Sequence, residues 1–142
     1  MKTLIKLLLL VWVSWVQADS AGLRVHVDAL RNSDGMVNAL VFNDQAGYPS
    51  DVSRALRHAS SPITDGAVEF EFQDLPAGQF VVTIVHDENN NGKLDRHWYG
   101  KPVEGVGVSN NVHSVFGPPD YEKCLVPVTS GVKQIDIAVV YP

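Results

Sequence analysis

The chain has 142 residues, 45% of them apolar, with sixteen acids against eleven bases and a formal net charge of −5. That balance makes the chain a poor candidate for nucleic acid or anionic membrane surfaces, because both are bound through Lys/Arg patches. A single cysteine, Cys124, excludes an intramolecular disulfide.

The first eighteen residues read as a signal peptide. Lys2 and Lys6 give the positive start, Leu7 to Val13 the apolar centre, and Val16-Gln17-Ala18 the small residues of a cleavage site. The apolar run is shorter than the roughly 20 residues of a spanning helix, so no membrane span is expected. The expected product is an exported protein, periplasmic or extracellular, with one domain over residues 19–142.

Leu23, Val25 and Val27 alternate with Arg24, His26 and Asp28, the period-two pattern of a strand with one face on a core. Asn32-Ser33-Asp34-Gly35 is a turn, and Met36 to Phe42 is a strand apolar on both faces. Between Asn43 and Thr64 the pattern breaks, and residues 51–58 suggest only one or two helical turns. Val68, Phe70 and Phe72 restore strand alternation, and Asp74-Leu75-Pro76-Ala77-Gly78 connects tightly into a strand over 79–86. There Phe80, Val82, Ile84 and His86 share one face and Val81, Thr83, Val85 and Asp87 the other.

A long Gly/Pro-rich loop then runs to about Tyr121. Two strands close the chain: 123–128, burying Cys124 as a small hydrophobe, and 134–141, with Ile135, Ile137, Val139 and Tyr141 on one face. The expected fold is all-β: a single antiparallel β-sandwich of about seven strands, prealbumin- or Ig-like, with one long loop.

The chemistry concentrates after the fourth strand. Asp87, Asn89, Asn91 and Asp95 fall at positions 1, 3, 5 and 9 of a loop with Gly92 at position 6, the opening of an oxygen-ligand calcium loop. The twelfth position, where a bidentate Glu closes such a sphere, is Trp98. The expected ligands are Asp87, Asn89, Asn91, the Lys93 carbonyl and Asp95, with Glu104 folding back to cap the loop or supply the missing carboxylate. A hydrogen-bond network of the same residues is the alternative.

Other constellations are weaker. His86, His97 and His113 match no compact spacing for zinc or copper. Gly107-Val108-Ser109 opens like a nucleophile elbow without the closing Gly. Trp98 and Tyr99 read as cover for one end of the sandwich, or else as a platform for a protein or glycan ligand.

HDENNNGKLD from His86, Gly100 to Gly107, Ser109-Asn110-Asn111 and Phe116-Gly117-Pro118-Pro119 together resemble a bacterial family of small exported proteins, the domain of unknown function 2141 family. Leu75-Pro76-Ala77-Gly78 also looks like that family. The resemblance implies one exported prealbumin-like β-sandwich and no activity. Arg96-His97-Trp98-Tyr99 is bulkier than the family's usual connection, and Cys124 stands where a small residue is expected.

The functional expectation is an exported binding or accessory module with a calcium-type loop. The alternatives are a cell-envelope hydrolase using His86, Asp95 and Glu104, or a structural domain of an envelope assembly.

Overall fold

The computed structural model describes Ser14, residues 20–98 and residues 100–142. The expected signal peptide, apart from Ser14, and Tyr99 lie outside the described residues.

Among the described residues eight strands form two sheets. Strands β1 (Ala21–Asp28), β4 (Val68–Leu75) and β8 (Gly131–Ala138) make one sheet in the order β4-β1-β8. The other runs β3 (Arg57–Ser61), β2 (Met36–Phe42), β5 (Gly78–Asp87), β6 (Gly105–Val108), with β7 (Val126–Val128) also on β5. The sandwich is antiparallel except at one seam, where β1 and β8 run parallel from Ala21↔Gly131 to Asp28↔Ala138. Period-two alternation identifies a strand but not the direction of its neighbour.

The core lies between the sheets. Leu23, Val25 and Val27 of β1, Phe70 and Phe72 of β4, and Ile137 of β8 face Val37, Ala39 and Val41 of β2 and Phe80, Val82 and Ile84 of β5. In β1 and β4 these are the alternate positions that the sequence pattern placed on the core. A second, smaller cluster covers the outer face of the larger sheet: Leu40, Phe42, Val81 and Val108 lie under Tyr121 and Cys124 of the 3₁₀ turn Tyr121–Cys124.

Three expectations are corrected. Residues 51–58 hold a short 3₁₀ turn, Val52–Arg54, and then the start of β3, which pairs with β2. β3 carries a mostly exposed, polar sequence, so an edge strand left no hydrophobic period to read. The long loop contains β6, whose Gly-Val-Gly-Val sequence reads as irregular. Its Gly105 is there for space, since a Cβ would overlap the Tyr141 ring and the Val139 methyl. The strand expected over 123–128 begins only at Val126, and Cys124 is the last residue of the 3₁₀ turn.

Cys124 is nonetheless fully buried, its Sγ donating to the Asp120 carbonyl at 3.2 Å. Burial, and secondarily the Asp120 carboxylate, pushes its thiol up from the ordinary range. A thiol reagent is therefore expected to label the protein only after denaturant is added. Rapid labelling of native protein would contradict this placement.

Candidate functional site

β5 ends by presenting its last two side chains to opposite faces. His86 points inward and is fully buried, and both ring nitrogens are engaged. Nε2 lies 2.8 Å from the Asp34 carbonyl, which can only accept, so Nε2 carries the proton. Nδ1 then accepts from the Tyr141 hydroxyl at 2.6 Å, whose oxygen accepts the Arg31 N–H at 3.1 Å. Arg31 also stacks over the Tyr141 ring at 4.4 Å and pairs with Glu88. The Asn32 amide donates to the same Glu88 carboxylate at 3.0 Å. Hydrogen bonds from Asn32 and then Arg31 hold the Glu88 carboxyl below its usual range. The 29–35 turn, the C-terminus and the head of the loop are thus tied at one point.

Asp87 turns the other way and is also fully buried. Its Oδ1 accepts the Asn91 N–H at 3.2 Å and its Oδ2 the Gly92 N–H at 2.7 Å. Gly92 turns the chain with a φ of +73°. The Asn89 and Asn91 amides both donate to the Asp95 carboxylate, at 2.8–2.9 Å, and hold its carboxyl below the usual range. The Asn91 Oδ1 accepts the Lys93 N–H at 3.0 Å.

Glu104 completes the group from the foot of β6. Its Oε2 accepts the Asp95 N–H at 3.3 Å, so it does fold back onto the loop. Its Oε1 is buried without a hydrogen-bond partner, and no other side-chain N or O atom among the described residues is so placed. Burial, with the neighbouring Asp95 and Asp87 carboxylates, pushes its carboxyl up to about 7 against the lowering pull of the Asp95 N–H.

The expected ligand residues are therefore gathered on one loop, and as they lie they form a hydrogen-bond network. Among the described residues no three Asp, Glu, His or Cys side chains are grouped closely enough to hold a metal ion. Trp98, expected as cover, is 95% exposed. It sits in a turn closed by its own backbone bonds, His97 N–H to Lys101 O and Gly100 N–H to His97 O, both 2.8 Å. Ser109 is a structural residue: its buried hydroxyl donates to the Cys124 carbonyl at 2.6 Å and accepts the Val82 N–H at 3.1 Å. Sequence reasoning missed Arg31, Asn32 and Tyr141 as braces of the loop, and no local pattern marks them.

Fold and site together define a β-sandwich carrying an acidic, amide-rich loop at the end of a central strand. Residues 25–136 match the profile of a family described as uncharacterised proteins conserved in bacteria, domain of unknown function 2141, and the chain belongs to that family. No curated protein and no solved structure matches it.

Proposed function

We propose that the protein is an exported, non-enzymatic binding or accessory module whose 87–104 loop is closed by calcium. The observation that carries this reading is the Glu104 Oε1 atom, buried without a partner beside two further carboxylates. An unmade hydrogen bond at a buried polar atom costs about 1–3 kcal/mol, and more for a charged group. As they lie these carboxylates are not grouped closely enough to hold an ion. Binding therefore requires Asp87, Asp95 and Glu104 to draw together around it, and a cation there would offset both that cost and the mutual repulsion of the three acids.

The donor set supports calcium over other ions. Carboxylate, amide and carbonyl oxygens are hard ligands, and none of the six expected residues offers nitrogen or sulfur in that role. Binding would require the Asn89 and Asn91 amides to turn their oxygens inward. Oxygen and nitrogen of an amide occupy equivalent positions, so that change is a rotation rather than a refolding. The Lys93 carbonyl would complete the sphere, and Trp98 would stand on the ordered loop facing a protein or glycan ligand.

The hydrolase alternative is less well supported. Both His86 nitrogens are engaged inside the sandwich, which leaves no ring nitrogen to begin a relay toward Asp95 or Glu104.

Thermal unfolding in calcium and in chelator tests the loop. Extracellular modules bind calcium at about 10⁻⁴–10⁻³ M. At about ten times the dissociation constant the stabilisation is roughly 1.4 kcal/mol. That is a rise of roughly 4–8 °C in Tm for a small domain. Magnesium should give less, since it demands a stricter octahedron. Asp87→Ala should abolish the rise. Superimposable curves in calcium and chelator would overturn the proposal.

A further inference from the structure

The outer face of the larger sheet holds a cleft of about 230 Å³ beside the loop. Register places it. Ser60 of β3, Asn38 of β2 and Val85 of β5 lie side by side in one row, and His58, Leu40 and Thr83 in the next. A face that would otherwise meet water is walled on one side by Ser50 and Val52 and on the other by Gly92, Lys93 and Leu94. The first wall is fixed where the Thr83 hydroxyl donates to the Pro49 carbonyl at 2.8 Å. The second is fixed where Asp87 accepts the Gly92 N–H.

The lining has a sharp chemical bias. The whole chain carries sixteen acids, yet no Asp or Glu lines the cleft, whereas Lys93 and His58 do. The Ser60 hydroxyl donates to the Asn38 Oδ1 at 2.6 Å, which leaves the Asn38 amide N–H groups as donors. Leu40, Val52, Val85 and Leu94 add apolar surface to the lining. The cleft thus combines a cation and hydrogen-bond donors with apolar surface, and its volume is below the roughly 300–1,000 Å³ of drug-sized sites.

We infer that this cleft binds a small organic monoanion, its carboxylate toward Lys93 and Asn38 and its apolar part over Leu40 and Val52. The inference names a ligand class for the binding-module reading and rests on that reading, but it does not require an ion in the loop. A small ligand with one charged end is expected to bind with a dissociation constant on the order of 1 mM.

The test is a titration of isotope-labelled protein in chelator, at constant ionic strength, with benzoate, benzyl alcohol and benzylammonium. Benzoate should give saturable shifts at the backbone amides of Leu40, His58, Val85 and Leu94. Benzyl alcohol should bind at least five-fold more weakly, and benzylammonium should leave those amides unmoved. Lys93→Gln should weaken benzoate about five- to ten-fold and leave benzyl alcohol unchanged. Absence of saturable shifts, equal binding of benzyl alcohol, or indifference of benzoate to Lys93→Gln would overturn the inference. The calcium-dependent rise in Tm, read on the same samples, separates the two ideas: a rise without benzoate binding refutes the cleft alone, and benzoate binding without a rise refutes the ion alone.

Discussion

Replacing Gly35 with alanine is expected to destabilise the protein more than any other change at the loop's edge. Gly35 has a φ of +63°, and a Cβ there would overlap the backbone carbonyls of Asp87 and Glu88. The left-handed conformation costs a non-glycine residue roughly 1–2 kcal/mol. Forcing an atom into an occupied site adds about 1–3 kcal/mol, and here the obstacle is backbone, which has little room to give. The sum, roughly 2–5 kcal/mol, corresponds to a loss of roughly 8–20 °C in Tm for a domain of this size. Because the clash falls on the peptide that carries Asp87, the remaining folded protein should also lose its response to calcium. Thermal unfolding with and without calcium measures both effects. A Tm within a few degrees of wild type would mean that the 29–35 turn does not press on the loop.

Glu104→Gln is expected to act in the opposite direction. The glutamine keeps an oxygen for the Asp95 N–H and removes a charge from beside Asp87 and Asp95. The sign of the pH dependence follows from the native carboxyl, raised from 4.5 to about 7. The folded state holds this proton more tightly than the unfolded chain does. Ionisation therefore costs stability as pH rises from about 4.5 through 7, and the full cost is present above that window. A displacement of this size sets the cost at about 3 kcal/mol at most. In chelator at pH 8, Glu104→Gln should be more stable than wild type by about 1–3 kcal/mol. At pH 4.5 the two should coincide. In calcium the order should narrow or reverse, because the variant lacks the ligand. A residue that weakens the ion-free fold and is needed only with an ion is one kept for the site. If Glu104→Gln is the less stable protein in chelator at pH 8, Glu104 is a structural cap and no more.

Much of this was written locally in the chain. The inward faces of β1 and β4 follow from single-strand alternation, since each buries a face that repeats every second residue, whereas β5 is buried on both faces. Asp87, Asn89, Asn91 and Asp95 are legible together because a loop that folds on itself needs its polar groups at fixed short spacings. Glu104 was legible only as an acid folding back onto the loop, and its buried, unpartnered oxygen is a product of packing.

What failed was non-local. β3 is a strand because β2 offers it an edge, and nothing apolar in Arg57–Ser61 announces this. β6 takes glycine because Val139 and Tyr141, more than thirty residues away, occupy the space above it. The Arg31–Glu88 and His86–Tyr141 contacts join residues 57 and 55 positions apart, so no window of sequence contains both partners. Trp98 is exposed where large apolar side chains are usually buried, on a turn that backbone bonds close.

The most direct measurement is the electron density of the loop in crystals grown with millimolar calcium. The expected result is one spherical peak among Asp87, Asn89, Asn91, Asp95 and Glu104, with oxygens at about 2.3–2.6 Å and the Lys93 carbonyl turned toward it. Both asparagine amides should present oxygen, and the Glu104 Oε1 should be a ligand. A loop with the Asn89 and Asn91 amides still donating to Asp95, and only water or a protonated Glu104 at that point, would contradict the account.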